Sequence, residues 1–116
     1  MANPTVLNIA KDLNGALTYG IEFTNISYSI SLTTLAEETL TVPENTDYAI
    51  FNYSAGSNVM VGNNISVTIP PSSFVESVGE LLPRLRTVKA GDILHFMSDS
   101  PALLNVLFYR RSINGG

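Results

Sequence analysis

His95 is the one histidine in this chain, and a histidine could serve acid–base catalysis or metal binding. It lies between Leu94 and Phe96 in a stretch typical of a strand, and the chain has no cysteine to complete a ligand set. Serine hydrolase chemistry would also need a nucleophile on a sharp turn, and the G-x-S-x-G pattern of such turns does not occur. We therefore interpret His95 as structural and predict no catalytic residue and no metal site.

Paired carboxylates are the second feature that could do chemistry, because glycosidases use two of them. Three pairs are close in sequence, namely Glu37 with Glu38, Glu44 with Asp47, and Glu76 with Glu80. Such pairs are usually solvated, and closeness in sequence is not the geometry that glycoside hydrolysis requires. The chain also lacks a glycine-rich phosphate cradle and the spaced oxygen ligands of a calcium loop. The sequence therefore predicts a protein that is not an enzyme and has no cofactor.

The basic residues are the third feature, because four of the six come from two short segments. They are Arg84, Arg86, Arg110 and Arg111. If the two segments are neighbours, they form a basic patch, and arginine holds carboxylate oxygens in pairs. We predict a protein-interaction site at these four residues for an acidic protein surface. A net charge of −4 makes nucleic acid a poor partner.

The composition favours a partner-binding surface. Charged residues are 14% of the chain, whereas about 25% is usual, and hydrophobic residues reach 45%. No apolar stretch approaches the roughly 20 residues that span a bilayer, which argues against membrane insertion. The first residues lack the features of a secretory signal peptide, so we expect a protein that is made in the cytoplasm, kept inside the cell and not secreted.

The elements that must position these groups are strands. Residues 26–32 are apolar at every even position and serine at every odd one, and only a strand turns this spacing into one apolar and one polar face. The same period returns at 65–69 and briefly at 39–42. Eight or nine short strands with turns between them predict an all-β fold, either a small antiparallel β-sandwich or a jelly-roll-like barrel with an extended N-terminal arm.

The predicted organisation has three parts: an N-terminal arm over residues 1–16, a single β-sandwich domain over 17–111 and a flexible tail over 112–116. The arm is expected to be extended and not part of a strand pair. The predicted strands cover residues 17–23, 26–33, 38–42, 48–53, 59–61, 65–69, 85–89, 93–98 and 103–111. The stretch 72–82 fits a short helix and a structured loop equally well.

Three of the predicted strands are apolar on both faces: 48–53, 93–97 and 103–109. A sheet in a two-layer sandwich has only one inner face, so the outer side of such strands needs a cover. The arm, the 72–82 stretch or another subunit could supply it. Because large exposed apolar patches are uncommon on monomers, we expect a homo-oligomer, either a dimer or a trimer.

Two segments resemble a known family. Residues 39–51 hold a strand, a polar turn and a strand, and residues 87–96 hold a Val-Lys-Ala-Gly-Asp turn followed by a strand. With residues 105–110, these patterns are similar to those of small tailed-bacteriophage virion proteins, especially capsid decoration or cement proteins with a β-sandwich or jelly-roll fold. The resemblance implies a structural protein on the capsid surface of the virion, which binds the major capsid protein of the phage shell without catalysis.

Two other functions fit the same architecture. One is a carbohydrate- or receptor-binding module of a tail fibre, in which tyrosines would stack on the ligand. The other is a small neck or tail component of the virion. The sequence alone does not separate these from a decoration protein.

Overall fold

The short alternating stretches fold into eleven strands in a computed structural model that describes residues 3–7, 9–11, 17–21, 23–54, 56–69 and 79–111. The strands are β1 (Thr5–Val6), β2 (Ile9–Lys11), β3 (Leu17–Ile21), β4 (Ser27–Leu32), β5 (Glu38–Thr41), β6 (Tyr48–Tyr53), β7 (Val59–Asn63), β8 (Glu80–Leu81), β9 (Leu85–Thr87), β10 (Ile93–Ser98) and β11 (Ala102–Arg110). Within these ranges there is no helix, and so none long and apolar enough to cross a bilayer. The predicted all-β fold class is confirmed.

The first sheet is built around β11. Strand β6 pairs antiparallel with one side of β11, and β9 continues the sheet beyond β6. The other side of β11 pairs antiparallel with β4 and, near its end, in parallel with β1. A nine-residue strand therefore holds two shorter ones along the same side.

The second sheet has the order β5-β10-β7-β8, and all its pairs are antiparallel. It packs on the first sheet as the other half of a sandwich-like fold, and the described strands do not close into a barrel. One parallel bridge between Thr34 and Ser98 follows β4 and links its end to β10. Of the two predicted architectures, the sandwich is the one that the described strands form.

The core lies between the two sheets and follows the period of two in the strands. Strand β11 places Leu104, Val106 and Phe108 inside, and β6 and β10 contribute Phe51 and Phe96. The rings of Phe51 and Phe96 meet edge to face with centroids 6.4 Å apart, so this pair joins the two sheets directly. Burial of these side chains is the main term that stabilises the sandwich.

The N-terminal segment differs from its prediction. The expectation that residues 1–16 form an arm and no strand pair is wrong for the described part, because β1 pairs with β11 and β2 forms a hairpin with β3. Strand β1 is held because the carbonyl oxygen of Arg110 accepts a hydrogen bond from the N–H of Leu7. The predicted tail, 112–116, lies outside the described residues.

Residues 65–69 are also not a strand, although their alternation predicts one. Val67 packs against the second sheet and is buried, while its neighbours on either side are exposed. The Val67 N–H donates to the side chain of Glu37 instead of to a neighbouring strand. The alternating residue types at 65–69 therefore indicate only that Val67 is buried between exposed neighbours. The stretch is not a strand, because a side-chain acceptor takes the backbone N–H that a neighbouring strand would otherwise bind.

The 72–82 stretch is described only from Gly79 onward. Within that part, Glu80–Leu81 forms the short strand β8 against β7, which is neither the helix nor the loop that the sequence predicts. Residues 72–78 lie outside the described residues.

The Ala90–Gly91 turn is fixed by Asp92. Its Oδ2 accepts hydrogen bonds from the Lys89 N–H (2.9 Å) and from Asn63 Nδ2 (3.0 Å), and its Oδ1 accepts one from Asn64 Nδ2 (3.1 Å). Burial acts to raise the pKa of Asp92, but the hydrogen bonds from Asn64, Asn63 and Lys89 outweigh it and lower that pKa below its ordinary value of 3.8. A single carboxylate therefore ties the turn before β10 to the end of β7.

Candidate functional site

The outer face of the first sheet carries a row of apolar side chains. Leu107 on β11 lies opposite Ile50 on β6 and Ser27 on β4, and Ile50 lies opposite Leu85 on β9. We call Leu85, Ile50 and Leu107 the apolar row. Leu85 is 44% exposed, and Ile50 and Leu107 are partly exposed.

Neutral polar groups lie beside the apolar row. Asn52 Nδ2 approaches Asn105 Oδ1 at 3.4 Å, and Asn105 Nδ2 approaches Ser29 Oγ at 3.4 Å, so three adjacent strands each contribute one polar group. Leu103 follows on β11 and is 53% exposed. Amide side chains carry both donors and acceptors, so they can bond to a neutral or a charged partner.

No outward-facing position on β4, β6, β9 or β11 carries a charged side chain. The alternation and register place twelve residues on this face, of which only Tyr109 is buried: Ser27, Ser29, Ser31, Tyr48, Ile50, Asn52, Leu85, Thr87, Leu103, Asn105, Leu107 and Tyr109. A face without charges can be dried at low cost, because neutral groups lose far less hydration energy than ions do. This uncharged face is the candidate docking surface.

The outer side of the second sheet is different, because residues of the same chain cover part of it. Gly62 on β7 lies opposite His95 on β10, and a Cβ at Gly62 would lie 2.6 Å from Cγ1 of Val67. Val67 therefore rests on this side of the sheet and is 1% exposed. The sequence predicts that 93–97 needs a cover on its outer side. Val67 supplies part of this cover, and we call the stretch 65–69 the covering segment.

Glu37 holds this covering segment in place. Its Oε2 accepts the Val67 N–H at 3.0 Å, and its Oε1 lies 3.4 Å from Ser66 Oγ and 3.4 Å from His95 Nδ1. The 3.4 Å contact with His95 lacks the geometry of a hydrogen bond, so the buried Nδ1 of His95 has no hydrogen-bond partner among the described residues. Sequence reasoning missed this link, because Glu37 is far from both partners along the chain.

The three side chains do not form a hydrolase triad. In a triad the serine contacts one ring nitrogen of the histidine, and the carboxylate contacts the other. Here Ser66 and His95 both approach the carboxylate of Glu37. The arrangement positions a backbone segment and supports the structural interpretation of His95.

Acid should loosen the clamp, as we call the contacts of the Glu37 carboxylate with Val67, Ser66 and His95. The Val67 N–H lowers the pKa of Glu37 below its ordinary value of 4.5, with smaller lowering effects from His95 and Ser66 and an opposing effect of burial. Because the folded pKa is the lower one, the stabilisation is present above the ordinary value and is lost as the pH falls through the folded pKa. We expect the stability advantage of the wild type over Glu37→Gln to shrink between about pH 7 and about pH 3, measured by urea unfolding.

Glu38→Gln is the matched control for this pH series. It removes one negative charge from an exposed residue next to Glu37, outside the clamp. An advantage over Glu37→Gln that stays constant across the series would contradict the role given to the carboxylate. The same contradiction would follow if the stability advantage of the wild type over Glu38→Gln changed with pH as much as its advantage over Glu37→Gln.

Two of the four arginines predicted as an interaction site lie at the β9 edge and have partners in the chain. Arg86 Nη2 lies 2.6 Å from Glu80 Oε1, and Arg86 Nε donates to the same oxygen at 3.0 Å. Arg84 Cζ lies 5.7 Å from the ring centroid of Tyr53. The ion pair is about half exposed, so solvent screens it and its contribution to stability is small.

The other two arginines lie at the end of β11. Arg110 Nε donates to the carbonyl oxygen of Pro4 at 3.0 Å, and the Arg111 N–H donates to Asp47 at 2.8 Å. Strand β6 lies between β11 and β9, so the structure does not bring the two arginine pairs onto neighbouring strands. The interaction role of Arg84, Arg86, Arg110 and Arg111 stays a prediction.

A cavity of about 170 Å³ opens between the sheets near the β9 edge. Phe51, Leu94 and Val88 line its apolar side, and Glu80 and Arg86 lie at its polar side. Pockets for drug-sized ligands are usually larger, about 300 to 1,000 Å³, and the two charged groups already bind each other. This cavity is a weaker candidate than the uncharged face.

In the ranges that the structure describes, no three histidine, aspartate or glutamate side chains are placed to hold a metal ion. In the comparisons with known proteins, no family model, curated protein or solved structure matches this chain.

Proposed function

We propose that this protein is a non-enzymatic virion structural protein, a capsid decoration or cement protein that binds and stabilises an assembled phage head as a homo-oligomer. Its docking surface is the uncharged outer face of the first sheet. The partner is the major capsid protein of the shell. The resemblance of residues 39–51 and 87–96 to decoration proteins supports this choice of partner.

The observation that carries the proposal is the composition of that face. Twelve outward positions on four strands are uncharged in a protein with ten acidic and six basic residues. Ions are costly to dehydrate, and the cores of protein interfaces are depleted in them. The apolar row supplies area to bury, and the flanking Asn52 and Asn105 supply hydrogen bonds that fix orientation.

The framework behind the face suits docking by a preformed surface. The core residues beneath it on β6 and β11, such as Phe51 and Val106, are fully buried and interdigitate with the second sheet. A surface on a packed sandwich loses little conformational entropy on binding. A protein that binds the assembled shell better than free coat subunits stabilises the shell by mass action.

The test compares two leucine-sized residues of similar exposure on different sheets. Leu85 in the apolar row is 44% exposed, and Ile93 on β10 is 42% exposed. We expect Leu85→Glu to weaken binding to purified phage heads about tenfold or more, because it places a charge in a dried contact and removes apolar area. Ile93→Glu should leave the affinity within about twofold.

Binding is measured by titrating labelled protein onto heads purified without it and quantifying the bound fraction after sedimentation. Circular dichroism of both variants shows that each remains folded. Full occupancy by Leu85→Glu, or an equal loss in both variants, would remove the uncharged face as the docking surface. Absence of any binding by the wild type to heads would remove the proposed function itself.

A further inference from the structure

Strand β4 is an open edge of the first sheet. The Phe108 N–H donates to the Ile26 carbonyl, and the same register continues along the pair of β11 and β4. In an antiparallel pair, every second residue exchanges backbone hydrogen bonds with its partner strand. Tyr28 and Ile30 therefore bond to β11, and the N–H and C=O groups of Ser27, Ser29 and Ser31 point away from it. Within the described part of the chain, no strand pairs with that side of β4.

Three other edge strands, β5, β8 and β9, are blunted, and β4 is not. Charged residues and short length protect edges against pairing with another chain. Strand β9 has three residues including Arg86, β8 has two including Glu80, and β5 has four including Glu38. Strand β4 has six residues without a charge, a proline or a glycine. Ser27, Tyr28, Ser29 and Ser31 are exposed.

The sequence of this edge is a palindrome centred on Ser29. Read in either direction, it places serine, an apolar side chain, serine, an apolar side chain and serine. In an antiparallel pair of two β4 strands, Ser29 would lie opposite Ser29 and Ser27 opposite Ser31. Tyr28 would lie opposite Ile30, which is an aromatic to β-branched pair of the kind that stabilises antiparallel sheets.

The backbone directions match the same register. The three serines are the residues whose N–H and C=O groups point outward, so the pairs Ser29–Ser29 and Ser27–Ser31 are the ones that exchange hydrogen bonds. About six such bonds would join the strands. Tyr28 and Ile30 would form the closer, non-hydrogen-bonded pairs on the core side, where the Tyr28 ring already packs edge to face on Phe108 at 5.8 Å.

We infer that two copies of this chain pair through β4 in an antiparallel register centred on Ser29, which makes the first sheet continuous across a two-fold axis. A two-fold contact needs a surface that is complementary to itself, and the palindrome supplies one. Neither copy places a charged residue in the contact. Although each chain has a net charge of −4, no like charges therefore lie opposite each other there.

This inference rests on the proposed function only for the expectation that copies associate, and it names the surface by which they do so. It also separates two surfaces of one sheet: the edge joins copies, and the outer face remains available to a larger partner. The test uses purified protein without phage heads. Its failure is therefore distinct from a failure to bind heads.

The test uses single cysteines in a chain that has none of its own. Opposed residues of a hydrogen-bonded pair have Cα atoms about 5.5 Å apart, which is within the range of a disulfide. We expect Ser29→Cys to form a covalent dimer under mild oxidation. Ser27→Cys alone should cross-link about tenfold less, because the two substituted positions would lie about 13 Å apart across the contact. A mixture of Ser27→Cys and Ser31→Cys chains should cross-link with each other.

Sedimentation of the wild type supplies the second readout. We expect a species of twice the 12.5 kDa chain mass at about 100 μM, a concentration at which a weak dimer still forms. Equal cross-linking of Ser27→Cys and Ser29→Cys would overturn the register. A wild type that sediments as a monomer, or a wild-type dimer in which Ser29→Cys does not cross-link, would overturn the inference.

Discussion

Phe51→Ala should lower the free energy of unfolding by about 4 kcal/mol. Phe51 is 1% exposed and meets Phe96 of the opposite sheet edge to face, so the truncation leaves a cavity between the sheets and removes their aromatic contact. Small domains have a total stability of about 5 to 15 kcal/mol, so this one change removes a large fraction of it. Urea unfolding followed by circular dichroism measures the loss.

Phe23→Ala is the matched control, because Phe23 is 99% exposed and should change the stability by no more than about 0.5 kcal/mol. If Phe51→Ala does not fold, the contact can still be tested by a double-mutant cycle with Phe51→Leu and Phe96→Leu, which measures the coupling energy between the two rings. It should give a coupling of about 0.5 to 1.5 kcal/mol between the rings. A zero coupling, or a loss from Phe23→Ala as large as that from Phe51→Ala, would contradict this account of the core.

Much of the fold follows from the period of the apolar residues. The predicted strands 48–53 and 93–98 have the bounds that the structure shows, and the serine-alternating stretch forms β4 with Ile30 and Leu32 turned toward the core. These predictions succeed because each strand turns one face to a single core, so apolar residues recur at every second position. The pairing order of the strands cannot be predicted from this period, because it depends on contacts between residues that are distant in sequence.

The errors arise where a contact distant in sequence replaces a local rule. The alternation at 65–69 predicts a strand, but Glu37 takes the Val67 N–H and holds this stretch against the second sheet. The parallel pairing of β1 with β11 likewise joins residues from opposite ends of the chain. Neither contact leaves a local signal, since a lone glutamate is usually a solvated surface group.

The candidate site could be predicted only in part. Apolar residues on both faces of 48–53 and 103–109 predict that the outer sides of these strands need a cover, and Ile50 and Leu107 of the apolar row come from these strands. The sequence also predicts the arginines as the interacting groups, whereas Arg86 is bonded to Glu80 and Arg110 to Pro4. The uncharged character of the outer face emerges only when register brings four strands side by side.

Gly79→Ala should destabilise the fold by about 3 kcal/mol. Gly79 has a φ of +91°, a region that L-residues avoid, and a Cβ there would lie 2.7 Å from the Val61 carbonyl oxygen and 2.7 Å from Cγ1 of Val67. The backbone oxygen belongs to β7, and the register directs it toward β8, so it cannot move without disturbing the pairing of these two strands. The substitution therefore combines backbone strain with a clash, and it should also displace the segment that covers the second sheet.

Gly91→Ala separates these two causes. Gly91 has nearly the same φ, +89°, but a Cβ there would meet nothing within 4 Å. It should therefore show the backbone cost alone, about 1 to 2 kcal/mol, in the same urea unfolding measurement. The excess loss in Gly79→Ala then measures the combined cost of the contacts with the Val61 carbonyl oxygen and with Val67. Equal losses in the two variants would mean that both the β7 backbone and the covering segment yield to a methyl group, which would contradict the close packing described for Gly79.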